Sequence, residues 1–153
     1  MHLLAEQSIN IQRPIEVTYA YACDLRNFGL WFPGIVEILA EDELDLTATG
    51  KSYLETVSVP LRGSRKVRIV VKEAQHSSIF ITEGSLRPLL PRMEMRFSAL
   101  GASSSSVNWR MYSLSQSPLV RATLIPLARR VMLARAKKAM TSLRFNLEAQ
   151  REA

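Results

Sequence analysis

The chain predicts an α+β fold in which a curved, antiparallel, seven-stranded sheet closes around one long C-terminal helix. Three observations carry that expectation. From Gly50 to Ser117 the text is a succession of short alternating segments, separated by turn-like stretches of three to five residues. After Pro118 a single helical pattern runs almost to the end. Between the first strand and the second lie short helical pieces that end at Pro33-Gly34. A lone long helix covers a strongly curved sheet by lying in its concavity, and that arrangement tends to leave a cavity for a guest.

Leu4 to Gln12 is the first strand, with Ile9 and Ile11 on one face and Asn10 and Gln12 on the other. Pro14 then suits a first helical turn, where its missing N–H would go unpaired in any case. One short helix follows through Ile15, Val17, Tyr19 and Ala22, and a second through Phe28, Leu30, Trp31 and Phe32. The remaining strands are expected at Ile35–Leu39, Lys51–Val59, Arg65–Ala74, Ser78–Gly84, Met93–Leu100 and Ser106–Leu114. Their short separators favour consecutive antiparallel hairpins over parallel crossovers. Val67, Ile69 and Val71 alternate with charged neighbours, as do Met93, Met95 and Phe97, and Val107, Trp109 and Met111. Each of these strands has one buried and one wet face. In the last helix Ala128, Met132, Ala136, Ala139, Leu143 and Leu147 recur at spacings of three and four and form the packed face. Pro126 lies inside that pattern, so either the helix bends there or it begins there. With 153 residues and no linker or repeat, residues 1–153 read as one domain.

Composition excludes several classes. No run approaches the roughly 20 apolar residues of a membrane span, and no basic, apolar leader opens the chain. Cys23 is the single cysteine, so no intrachain disulfide forms, and the expected compartment is the cytoplasm. His2 and His76 are the only histidines, and no cluster has metal spacing. The expectation is therefore no metal and no cofactor, and Cys23 reads as a small buried residue rather than a nucleophile. The net charge of +6 sits on the last element, because lysines and arginines balance acids up to Ser117. Beyond it, Arg121, Arg129, Arg130, Arg135, Lys137, Lys138, Arg144 and Arg151 face only Glu148 and Glu152. Such a face is first of all a solvated helix exterior. It also suits peripheral contact with an anionic membrane, and nucleic acid less well.

The order strand, two short helices, six strands and long helix resembles the helix-grip fold of the START/Bet v 1-like superfamily. Local text is similar to its bacterial polyketide cyclase/dehydrase and lipid-transport branch. The matching segments are Arg13-Pro14-Ile15-Glu16-Val17, Asp24 to Glu37 through Trp31 and Pro33-Gly34, Gly50-Lys51-Ser52-Tyr53, and Leu119 to Leu127 with Arg129-Arg130. The resemblance implies a lipid, isoprenoid or aromatic polyketide-like ligand in an internal cavity, bound by a monomer or homodimer, with turnover in some members.

Candidate cavity residues follow from the inward faces. Tyr53, Met95, Phe97, Trp109 and Met111 come from the sheet, and Met132, Ala136 and Leu143 from the long helix, with Phe28 and Trp31 over the entrance. Thioethers adapt to irregular shapes and aromatic rings stack on flat ones, which suits a planar or aliphatic guest. Tyr53, Glu55 and Glu83 are the candidate acid–base groups, since a carboxyl buried in such a cavity has a raised pKa. Carrier and catalyst remain open at this point. Catalysis as an aromatase/cyclase or dehydratase requires at least two of those three to converge inside, and the binding reading requires a void of several hundred Å³, the usual pocket size, without which it fails. An interaction module built on the basic helix is the third reading.

Overall fold

A computed structural model describes residues 1–150, so Arg151 and Glu152 of the basic segment lie outside the described residues. The elements are β1 (His2–Ile11), α1 (Ile15–Ala22), a 3-10 turn at Leu25–Asn27, α2 (Phe28–Trp31), β2 (Ile35–Ala40), β3 (Ser52–Val59), β4 (Gly63–Gln75), β5 (Ile79–Gly84), β6 (Pro91–Gly101), β7 (Ser104–Ser113) and α3 (Pro118–Ala149). The sheet is antiparallel throughout, in the order β1-β7-β6-β5-β4-β3-β2. Strands β2 to β7 form a meander, and β1 returns to pair with β7.

Local chemistry places the helices. Pro14 precedes α1, and its carbonyl receives the N–H groups of Val17 and Thr18. The buried Ser105 hydroxyl donates to the Arg13 carbonyl at 3.0 Å and shares a 2.8 Å hydrogen bond with Thr18 Oγ1. A serine on the inner face of β7 therefore fixes the entry to α1. Asp24 accepts from the Arg26 backbone and starts the 3-10 turn. Ser117 caps α3 by accepting from Val120, with Pro118 at the first helical position. At the far end Arg13 Nη1 donates to the Leu147 carbonyl at 2.8 Å, and Glu148 accepts from the Gln12 backbone. A cation thus meets the negative end of the helix.

Pro126 neither starts α3 nor stops it. The helix runs continuously from Pro118 to Ala149. Pro126 and Ala122, whose carbonyl loses its usual donor, are both exposed, so that carbonyl is open to solvent and the missing bond costs little. The inner side of α3 buries Ile125, Ala128, Ala136, Ala139, Met140, Leu143 and Leu147 in one cluster with Trp109, Met95 and Phe97. No helix among the described residues is long and apolar enough to cross a membrane.

Candidate functional site

One apolar cavity, of about 70 Å³, lies toward the β2 side of the sheet. Val57 of β3, Val67 and Ile69 of β4, and Met93 and Met111 of β6 and β7 form its sheet wall. Phe28 and Phe32 close it from α2, and Met132 and Arg135 from α3. Its volume falls short of the several hundred Å³ expected, and of the roughly 300–1,000 Å³ usual for ligand pockets. The reason is aromatic packing. Phe32 stacks on Phe28 at 5.0 Å between ring centres and lies 5.4 Å from Trp109, which fills the concavity above α3.

The expected ligand residues separate into two groups. Phe28, Met111 and Met132 line the cavity. Trp31, Tyr53, Met95, Phe97, Trp109, Ala136 and Leu143 lie in the closed core and do not reach it. Ala128, Ala136 and Ala139 are buried away from the void, so small side chains here bring helix and sheet together instead of leaving room. The indole N–H groups of Trp31 and Trp109, two rings that both contact Phe32, are buried without a hydrogen-bond partner. Each such orphan costs roughly 1–3 kcal/mol.

The three candidate acid–base groups do not converge. Glu55 lines the cavity, 6% exposed. Burial drives its pKa up to about 7, against a smaller opposing pull from the Arg135 cation, and no hydrogen bond relieves it. Tyr53 is fully buried but outside the cavity wall. Its hydroxyl donates to the Leu46 carbonyl at 3.3 Å, and burial raises its pKa to about 12. Glu83 sits on the convex face, opposite Arg92, and accepts from Arg92 Nη1 at 2.7 Å. The face of β5 is the opposite of the one that would carry Glu83 inward with Ile79 and Ile81. Phe80 pairs with Met95 and Thr82 with Met93, so Phe80, Thr82 and Gly84 turn inside. Cys23 is a buried thiol whose pKa burial raises, which keeps it protonated and unreactive.

Two functional groups lie beyond the sequence-derived set. Thr82 of β5 is a further polar group of the wall, and Arg135 is the half-buried cation that lines it from α3. Arg135 Nη2 donates to the Ser58 carbonyl at 2.9 Å. Its guanidinium lies over Gly34, where a Cβ would stand 2.6 Å from Nη1. Gly34 has a φ of +87°, so the backbone favours glycine there, and a side chain would push the guanidinium aside. Arg135 follows Met132 by three positions and precedes Ala139 by four, and that spacing was the signal for a cation on the flank of the packed face.

A long helix held in the concavity of a seven-stranded antiparallel sheet, with two short helices between the first two strands, defines the START/Bet v 1-like helix-grip fold. No family model matches the chain, and no curated protein matches it. Solved structures do. A START superfamily protein from Mycobacterium smegmatis is similar with a TM-score of 0.74 at 11% identity, over 97% of this chain and 99% of that one. The di-domain ARO/CYC StfQ from the steffimycin biosynthetic pathway gives 0.74 at 10% identity, over 99% of this chain and 53% of its own. A protein from Thermus thermophilus gives 0.72 at 14% identity, over 95% and 97%. At these identities the likeness is one of fold.

Proposed function

We propose that the chain binds a small, largely apolar molecule in the cavity between β3–β7, α2 and α3, as a cytoplasmic carrier or receptor. The observation that carries this reading is Glu55, a carboxyl 6% exposed and without a hydrogen bond to the protein, at the wall of a mostly apolar void. A stable core does not retain such a group for packing, since burying it unpaired destabilises the fold. The small volume implies either a compact guest or displacement of Phe28 and Phe32. Met93, Met111 and Met132 adapt most readily to a changed shape. Displacing Phe32 would also uncover the neighbourhood of the two unpartnered indoles, giving a larger guest further donors. The aromatase/cyclase or dehydratase reading loses support, because one of its three candidate groups, not two, lines the cavity. Toluene is the simplest probe. Titrated into protein with methyl-labelled methionine, it is expected to shift the signals of Met93, Met111 and Met132. If these three stay unmoved at saturating toluene, the cavity reading is wrong.

A separate observation favours peripheral contact of α3 with an anionic membrane. Leu127 and Phe145 are 53% and 72% exposed on the helix exterior, among Arg130, Lys137, Lys138 and Arg144. None of these cations has an ion-pair partner among the described residues. Interfacial helices combine apolar anchors with basic flanks in this way. Vesicles containing phosphatidylserine are expected to bind the protein, and vesicles of phosphatidylcholine alone are not. Reversing Arg130, Lys137 and Arg144 to glutamate is expected to weaken that binding by roughly 100-fold or more, at about 1 kcal/mol per cation. Unchanged sedimentation of the triple variant would exclude this surface.

A further inference from the structure

The polar groups of the cavity narrow the chemistry of the guest, on the reading above that it takes one. Glu55 of β3 and Arg135 of α3 face the same space without forming an ion pair with each other. Arg135 donates to the Ser58 carbonyl and lies against Gly34, which points its guanidinium away from an ion pair with Glu55. The other elements that line the cavity present only uncharged groups: Ile35 from β2, Val67 and Ile69 from β4, Thr82 from β5, and Phe32 after α2. Arg135 is the single charged or titratable partner facing it.

We propose that this pair holds a hydroxyl, so that the site takes a small apolar molecule bearing one alcohol or phenol group. Its O–H donates to the Glu55 carboxylate, and its oxygen accepts from the Arg135 guanidinium. The alternatives satisfy the two groups less well. A hydrocarbon leaves Glu55 without a partner and Arg135 with the Ser58 carbonyl alone. A carbonyl or ether only accepts, so it needs Glu55 protonated, and that leaves the Arg135 cation enclosed under the guest without a counter-charge. An amine adds a second cation beside Arg135. A hydroxyl gives and accepts through one oxygen and keeps Glu55 ionised, so the enclosed pair stays neutral.

p-Cresol and toluene differ by one hydroxyl, and p-cresol, like a tyrosine side chain, stays un-ionised near neutral pH. Affinities are read from the methionine-methyl titration of the full chain. At about pH 8, p-cresol is expected to bind roughly 10-fold tighter than toluene, the increment of one charge-assisted hydrogen bond. Glu55 titrates near pH 7, so its ionised fraction falls about 10-fold from about pH 8 to about pH 6. The p-cresol affinity is expected to fall with it, while the toluene affinity holds. In Glu55→Gln, with its fold verified from the amide spectrum, the preference for p-cresol shrinks to within about twofold and its pH dependence disappears. The pH series on the unmodified chain decides the matter even if the variant does not fold. Equal binding of the two probes, or p-cresol binding that tightens toward pH 6, overturns the hydroxyl assignment and leaves the cavity reading standing. If neither probe moves the methionine signals, both fall.

Discussion

Truncation of Phe32 to alanine is expected to lower the unfolding free energy by about 3–5 kcal/mol, the usual cost of removing a buried phenyl ring. Phe32 is 4% exposed and touches three aromatic rings: Phe28 stacked at 5.0 Å, Trp31 edge-on at 6.2 Å and Trp109 tilted at 5.4 Å. Aromatic pairs of this kind add roughly 0.5–1.5 kcal/mol each beyond the burial of area. The same ring forms part of the cavity wall, so its removal joins its own volume to the existing 70 Å³. A dry, apolar cavity of about 150 Å³ takes up benzene. Toluene is therefore expected to restore part of the lost stability in Phe32→Ala and to raise its Tm more than that of the unmodified chain. Thermal melts with and without toluene check both statements. A loss below about 1 kcal/mol would mean that Phe32 is not the packed plug described here. An equal toluene response in both proteins would mean that the space of the ring does not open into the cavity.

Much of this arrangement was legible in the residues, for reasons that differ from strand to strand. Met93, Met95 and Phe97 alternate with Glu94, Arg96 and Ser98, and Val107, Trp109 and Met111 alternate with Asn108, Arg110 and Tyr112, so their inner faces could be read directly. β5 offered no such contrast. Ile79, Phe80 and Ile81 are apolar in succession and all buried, and only the pairing of Phe80 with Met95 shows which side turns inward. With both parities apolar, the residues alone do not distinguish Glu83 from Thr82 as the inward-facing group. Arg135 was hidden differently. It belongs to a run of basic residues whose other members are exterior, so charge counting absorbed it, although its spacing from Met132 and Ala139 places it on the flank of the packed stripe. Cavity volume was the least legible quantity. The same Met and aromatic composition describes a pocket and a filled core, and the balance rests on how far Phe28 and Phe32 reach toward Trp109.

Glu55→Gln is expected to stabilise the fold, and to do so only above acid pH. In the unfolded chain the carboxyl ionises near 4.5, and in the folded protein burial delays ionisation to about 7. A carboxyl with a raised folded pKa opposes folding as it ionises. Below the unfolded pKa it is neutral in both states and costs nothing. Between the two values the cost grows with pH, and above the folded pKa it is complete. A shift of this size corresponds to about 3 kcal/mol. Glutamine keeps the shape and removes the charge, so the variant should match the parent near pH 4.5 and exceed it by about 2–3 kcal/mol near pH 8, roughly 4–10 °C in Tm for a domain of this length. Paired denaturant titrations at the two pH values measure the difference. A variant that is equally or less stable at pH 8 would show that Glu55 is solvated or satisfied in the folded protein, and that the cavity lacks the unpartnered acid on which its binding role rests. A gain that appears on this schedule would identify a position where stability is given up for a carboxylate at the wall of an apolar void, and the stability–function trade-off is expected at sites that bind.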